Sequence, residues 1–443
     1  MYRRALAKPS EWGILRRVVG MALVAFLLTG ALTLPEVWAA TYYVNNSSGS
    51  NGNPGTSASP WKTLSYALSH SLASGDVVSV APGTYNSANG ENYPLALQDG
   101  VKIEGQNKAT TILSAPVTTD VFENIDTALS SNTTLTGFTL KHDASTTYSQ
   151  TLVHLQPSSV TMNPVIDDNV FQSDGSGDDV GIWIDTDSNA PGPRTFNGTI
   201  SNNTFDGFDD AISLEADLEA AGTGTFNPTI SGNTFTNNDE GVDFYVDAQD
   251  TLNGDGIDLT ASPKIVNNQG NGNYEDIYVN ADIESGNVTT APLISGNTFS
   301  DSTDHSISLS YETMEADQSS GLNTVSPTVT NNSITNAGGD GIYVYLYEAY
   351  TGSLKTNVTL TGNTVTKPSD DGIYLSYSAE YYPQGSQSQI VATVANNTVS
   401  NAGSSGISIS GSSFDNTMIL GNSTVTVAGN SVDQTGSSGS TGI

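Results

Sequence analysis

The sequence contains no cysteine, which excludes disulfide staples and thiolate metal sites and leaves the fold to packing and hydrogen bonds. It is almost as poor in positive charge. Five of its thirteen Lys and Arg residues, but only two of its forty-six acids, lie in positions 1–39, so the remainder carries eight basic against forty-four acidic side chains, a net charge of about −36. Phosphate recognition needs clustered Lys and Arg, so nucleic acid is excluded as a partner. An anionic polysaccharide would need bridging divalent cations, whereas a neutral one would not. Long apolar runs are scarce too. The single candidate, 18–32, is shorter than the about 20 residues that a membrane span requires. It follows Arg3, Arg4, Lys8, Arg16 and Arg17 and precedes the small-residue site Val37-Trp38-Ala39. That order predicts an export signal over 1–39, an extracellular or cell-surface address, and no membrane span once the signal is removed.

Apolar residues make up only 36% of the chain, low for a globular enzyme, yet Val, Ile, Leu and Phe alternate too regularly for disorder. The alternation recurs. In residues 327–347, PTVTNNSITNAGGDGIYVYLY, a β-branched run ends in Asn-Asn, a second short run follows, and a polar loop closes on an acid before another strand begins. Aligning the anchoring asparagines gives Asn169, Asn203, Asn233, Asn268, Asn297, Asn332, Asn363, Asn397 and Asn430, at intervals of 29 to 35 residues. A period of that length with strands and no intervening helices predicts an all-β chain, a β-solenoid. Asn332 is expected to supply the left-handed turn and, with its equivalents, a hydrogen-bonded ladder. The strand after the acidic loop supplies an inward column: Ile182 and Ile184, Ile212 and Leu214, Val242 and Phe244, Ile277 and Val279, Ile307 and Leu309, Ile342 and Val344, Ile373 and Leu375, Ile407 and Ile409.

One helix is expected, over about 60–73. Ser59-Pro60-Trp61 reads as its start, and Trp61, Leu64, Leu68 and Leu72 form its apolar stripe, ending near Gly75. The open end of a solenoid needs a lid, and this helix is placed to be one. The surrounding segments TYYVNNSSGSNGNPGTSASPWKTLSYAL, GDVVSVAPGTY and YPLALQDGVKIEGQNKATTIL resemble the amino-terminal module of a family of uncharacterised secreted right-handed parallel β-helix proteins in the pectin-lyase-like superfamily. The resemblance covers roughly 41–113. It implies a single right-handed parallel β-helix with an amino-terminal capping helix, an extracellular address and frequent association with carbohydrate, but no particular activity. The expected organisation is a signal over 1–39, a cap with the first rungs over 40–118, and rungs of about 33 residues over 119–443. Gly439-Ser440-Thr441-Gly442-Ile443 aligns with the start of a core strand, so the chain is expected to continue past Ile443.

Alternation then fixes what faces outward. The first outward position reads Trp183, Ser213, Asp243, Tyr278, Ser308, Tyr343, Tyr374, Ser408. The second reads Asp185, Glu215, Tyr245, Asn280, Ser310, Tyr345, Ser376, Ser410. The third reads Asp187, Asp217, Asp247, Asp282, Glu312, Tyr347. A column of carboxylates at rung spacing must be splayed into solvent, partly protonated or bridged by a hard cation such as calcium. Asp217, Asp247 and Asp282 are the candidate metal ligands.

A second acidic set precedes the strand: Asp178-Asp179, Asp209-Asp210, Asp239-Glu240, Glu275-Asp276, Asp304, Asp340 and Asp370-Asp371. Acids there can simply accept hydrogen bonds from the turn. Asp209-Asp210 in GFDDAISL, with His305 in TDHSISLS, also resembles polygalacturonases, in which paired acids perform glycoside cleavage. The chain lacks that family's Arg-x-Lys clamp, its Asn-Thr-Asp element and its Gly-His-Gly setting. A lyase mechanism would want a basic residue, and the one arginine outside the signal, Arg194 in Gly192-Pro193-Arg194, is expected to be a solvated loop residue. Residues 253–258 resemble half of a calcium loop but lack its first acid, Thr251 standing there, and read equally as an extra strand.

The function these patterns favour is binding of an extracellular polysaccharide or cell-surface polymer. Trp183, Tyr245, Tyr278, Tyr343, Tyr345 and Tyr374 would supply the rings, and Asp187, Asp217, Asp247, Asp282 and Glu312 the carboxylates. The alternatives are a polysaccharide-degrading enzyme using Asp209, Asp210 and His305, and a structural or adhesive spacer without catalysis.

Overall fold

Runs of two to nine residues, mostly β-branched or aromatic and each too short to bury a face alone, stack here on copies of themselves. The computed structural model describes residues 39–143, 150–173, 179–186, 193–218, 222–248, 257–284, 286–314, 323–349, 354–380, 389–413 and 423–433. The proposed signal, Asp178, Asp187, most of the calcium-like loop, the long loops that follow the outward strands and the last ten residues lie outside them. Residues Ala40–Ile443 form one unit. No helix among the described residues is long and apolar enough to cross a membrane.

Among the described residues, three sheets of 19, 12 and 10 strands make up a parallel β-solenoid. The ten-stranded sheet carries the longest strands: Phe122–Ile125, Gln150–Gln156, Asp179–Asp185, Asp210–Asp217, Glu240–Ala248, Glu275–Ile283, Ile307–Met314, Ile342–Ala349, Ile373–Glu380 and Ile407–Ser413. They stack in chain order, so equivalent residues of successive rungs lie beside one another. The expected inward pairs are buried throughout, apart from Ile409 at the last of these strands, which is only partly buried. Rings stack in the core in the same way. Phe171 lies 4.6 Å from Phe205, and Phe205 lies 5.5 Å from Phe235. Each such side chain contributes roughly 1.5–3 kcal/mol by its burial, so stability is spread along the axis.

All nine anchoring asparagines form one ladder. The Oδ1 of each from Asn203 to Asn430 accepts the backbone N–H of its predecessor at 2.8–3.0 Å. Each Nδ2 donates to a carbonyl of the previous rung, as from Asn332 to Ile294. They are not, however, the left-handed residues. That conformation belongs to the residue before each anchor: Asp168, Asn202, Asn267, Asn331 and Asn396, with φ of 54–57°, or a glycine at 232, 296, 362 and 429. The dipeptide thus divides two tasks, since a side chain that bridges rungs from inside needs a neighbour that turns the chain.

The helix is shorter than the apolar stripe suggests, Leu64–Leu68, with Thr63 as N-cap. Trp61 is held in extended backbone instead, donating to the Tyr43 carbonyl at 2.9 Å while its own carbonyl accepts from Asn45 at 2.8 Å. Glu91 accepts the N–H groups of Leu64 and Ser65 at 2.6 and 2.9 Å. Beyond Leu68 the Ser69 hydroxyl and His70 Nδ1 both donate to the Tyr66 carbonyl, at 2.7 and 2.8 Å, and compete with further helix. Leu64 and Ala67 still reach the core. Ile257–Ala261 is a regular strand, paired with Gly222–Phe226 on one rung and Asn287–Thr290 on the next, so the calcium-like segment leads into an ordinary strand of the stack rather than an extra one.

Arg194 is a correction. It opens the strand Arg194–Phe196 and is fully buried, the largest such side chain among the described residues. Its parity with Phe196 points it inward, and the residue opposite on the next rung is Gly224, where a Cβ would meet Leu218 and Leu259.

Asn332→Ala removes the acceptor of the Asn297 N–H and the donor to the Ile294 carbonyl, and should cost about 2–4 kcal/mol. Asn331→Gly, one residue earlier at φ 56°, should change stability by less than about 1 kcal/mol. Urea unfolding of the two variants checks the contrast.

Candidate functional site

The outward side of the ten-stranded sheet brings the sequence's polar and aromatic residues into columns. In the first, Trp183, Ser213, Asp243, Tyr278, Ser308, Tyr343, Tyr374 and Ser408 are successive partners. The same column continues to His154 and Glu123 on the two earlier rungs. In the second, Asp185, Glu215, Tyr245, Asn280, Ser310, Tyr345, Ser376 and Ser410 pair in the same way. In the third, Asp217, Asp247, Asp282, Glu312 and Tyr347 do so, and Asp187 lies outside the described residues. The rings of Trp183, Tyr245, Tyr278, Tyr343, Tyr345 and Tyr374 are neither buried nor fully exposed. Tyr343 stacks on Tyr374 with centroids 5.3 Å apart and planes 6° apart, and on His305 at 4.7 Å and 12°. Tyr345 and Tyr347 lie parallel at 6.4 Å.

The paired acids that precede these strands divide into two groups. One is spent on turns. Asp340 accepts the N–H of Asp371 at 2.7 Å, Asp371 that of Ser405 at 2.6 Å, and Asp179 the Ser173 hydroxyl at 2.8 Å. Asp276 is fully buried, takes bonds from Asn273 and Ser302 at 2.7 Å each, and is raised to about 6 by burial despite them. The other group converges on the outward face. Asp210, Glu240 and Glu275 are partners on three successive rungs, and Asp243 stands in the first outward column beside them. Asp210 and Glu240, side by side on adjacent rungs, each act on the titration of the other. Burial first and then neighbouring charge push all four up. Asp210 reaches about 7 with Asp209 and Glu215 adding to the burial, and Glu240 about 7 with Asp210 and Asp209. Asp243 reaches about 8 with Asp210 and Glu240 adding, and Glu275 about 8 with Asp304 and Glu240. The protons belong to the cluster rather than to single residues. A carboxyl holding a proton near neutral pH beside ionised ones can act as acid and base in one site.

His305 stands three rungs from Asp210, about 14 Å away at ~4.8 Å per rung, so the two are not in contact. It lies instead beside Glu275 and Asp304, with its Nε2 3.8 Å from Asp304 Oδ1. Its Nδ1 accepts the Asp340 N–H at 2.9 Å, which puts the proton of the neutral ring on Nε2. Burial lowers its pKa, against the pull of Asp304 and Asp370. It is a neutral donor facing outward. The third column places Asp217, Asp247 and Asp282 on consecutive rungs, each with one carboxylate oxygen shielded from solvent. Tyr245 donates to Asp247 at 3.3 Å, and burial raises Asp282. Neighbouring members stand one rung apart, at ~4.8 Å, so adjacent pairs of oxygen donors suit a hard cation such as calcium, but the three do not gather around a single ion.

Sequence reasoning overlooked the earlier rungs of the first column. His154 stacks on Trp183 at 4.4 Å and 12°, and its Nε2 lies 2.7 Å from Asp185 Oδ1. The signal was available, because TLVHLQ alternates in register with GIWID. Glu215, next to Asp185, is raised by burial and by the Asp185 charge, with Trp183 and His154 opposing.

Carboxyls raised in the folded state bind more protons there than in the unfolded chain. Their contribution to stability is complete below about pH 4 and is lost as pH rises through about 7–8. The melting temperature should therefore fall between pH 5 and pH 8.5 or so, and Asp243→Asn should flatten that decline, as calorimetry at several pH values can measure.

Residues 47–324 match the model of a family described as a protein of unknown function, DUF1565. No curated protein matches the chain in sequence. Among solved structures it is similar to a GH136 lacto-N-biosidase from Eubacterium ramulus, at 12% identity over 94% of this chain and 70% of that one, with a TM-score of 0.44. It is similar also to the A-module of a mannuronan C-5 epimerase from Azotobacter vinelandii, at 12% identity over 90% and 97%, TM-score 0.40. A third is the catalytic unit of a GH87 α-1,3-glucanase from Streptomyces thermodiastaticus, at 16% identity over 81% and 64%, TM-score 0.41. With well over half of its length matched to the family model, this parallel β-solenoid belongs to the DUF1565 family.

Proposed function

We propose that the protein is exported and binds a polysaccharide chain laid along the outward face of the ten-stranded sheet. The observation that carries this reading is the registration of half-exposed rings and carboxyls in columns parallel to the solenoid axis. A polymer with a short repeat meets the same kinds of group rung after rung, at ~4.8 Å intervals. Tyr278, Tyr343 and Tyr374 offer ring faces to the apolar side of a sugar, and the neighbouring carboxyls, Ser308 and Asn280 offer hydrogen bonds to hydroxyls. With few cations on the chain, the ligand is a neutral polymer, or a uronate polymer bridged by calcium at Asp217, Asp247 and Asp282. Double substitution of Tyr343 and Tyr374 by Ala should weaken retention on bound glycans at least about tenfold. Affinity electrophoresis with neutral and uronate polymers, with and without calcium, reads this out; unchanged retention on every bound polymer contradicts it.

A second reading is favoured by one observation, the proton-holding cluster of Asp210, Glu240, Asp243 and Glu275. A protonated carboxyl on that face can protonate a glycosidic oxygen while an ionised neighbour attacks or activates water. In that case new reducing ends form from a bound polymer, and Glu240→Gln lowers their rate about 10²–10⁴-fold with binding retained. Binding without any product across the polymer panel removes this second reading and leaves the first.

A further inference from the structure

Apart from the carboxyl cluster, the first outward column ends in a group of different composition. Asp120, Glu123 and His154 each offer one ligand atom, all within 4.8 Å of one another. His154 and Glu123 are partners on adjacent rungs, and Asp120 lies just before the strand Phe122–Ile125. His154 is buried, with 9% of its surface exposed. Its Nε2 and Asp185 Oδ1 are 2.7 Å apart, and the other oxygen of Asp185 accepts from Gln156 Nε2 at 2.7 Å. That arrangement fixes Asp185 and puts the imidazole proton on Nε2. The nearest carboxylate oxygen to Nδ1, on the other side of the ring, is Asp120 Oδ2 at 3.8 Å. Trp183 stacks on the ring and holds its plane.

A histidine whose far nitrogen donates to a carboxylate and whose near nitrogen faces further carboxylates is the arrangement metal-binding histidines take, the outer carboxylate setting tautomer and orientation. The geometry points to a divalent-cation site in which His154 Nδ1 and one carboxylate oxygen each from Asp120 and Glu123 are the ligands and Asp185 is the positioning residue. One nitrogen and two oxygens suit a zinc-class ion rather than calcium. The other histidine cluster, Glu275, Asp304 and His305, does not fit, because His305 Nδ1 is occupied by the Asp340 N–H and Nε2 carries the proton. His154 and Glu123 belong to the same outward column as Trp183 and Asp243, so, on the proposed polysaccharide-binding reading, a bound ion would stand at one end of the binding face.

The test is equilibrium dialysis of chelator-treated protein with Zn²⁺, in excess Ca²⁺ to occupy the all-oxygen acidic surface. The expected result is one tightly held Zn²⁺ per chain, absent in His154→Ala, weakened about 10–100-fold in Asp185→Asn, and unchanged in His305→Ala. Glu123→Gln, at a half-buried outward position, carries the test if His154→Ala does not fold. Weak, calcium-displaceable binding only, or Zn²⁺ held equally by wild type and the folded variants at 154 or 123, overturns the site.

Discussion

Parallel strands stacked in register, at ~4.8 Å per rung, place every residue beside its own equivalent. The rest of this structure follows from that constraint. Where the equivalent is asparagine the outcome is favourable, because the amide both donates and accepts. The side chain of each anchor therefore satisfies the backbone of its neighbour from Asn169 to Asn430. Phenylalanines gain in the same way by stacking, as at Phe171, Phe205 and Phe235. No single centre is needed, since each rung is completed by the next.

The same rule is unfavourable for acids. Asp210, Glu240 and Glu275 cannot move apart without breaking the ladder that carries them, and Asp243 is added to the group by strand alternation. With no cationic side chain among the causes that set their titration, the charge is relieved by protons, and these carboxyls rise to about 7–8. At the head of the column His154 replaces a carboxyl and draws Asp185 and Asp120 around it. One face thus holds proton-bearing acids, stacked rings and a histidine site in line, produced by repetition of a single strand pattern.

Much of this was legible in the sequence. Period-two alternation gave the columns, because parity cannot slip in a rung whose inner face is buried, and the asparagine series identified the ladder. What alternation could not show was depth. Arg194 follows Gly-Pro and looks like a surface loop residue, yet its parity with Phe196 sends it inside. Glu348, inward on the strand Ile342–Ala349, is likewise buried and accepts from the Tyr377 hydroxyl at 2.9 Å. The division of the paired acids was hidden as well. Asp340 and Asp210 occupy similar places in their rungs, and only the hydrogen bond from Asp371 separates a turn acid from a site acid. The helix was overextended because its apolar spacing says nothing about the strand that captures Trp61.

The most direct test of this account is a carbon-detected NMR titration of the side-chain carboxyls. The account predicts resonances of Asp210, Glu240, Asp243 and Glu275 whose midpoints lie near 7–8 and shift together when one of the four is replaced by its amide. Completion of every carboxyl titration below about pH 5, the range of ordinary exposed acids, would contradict it.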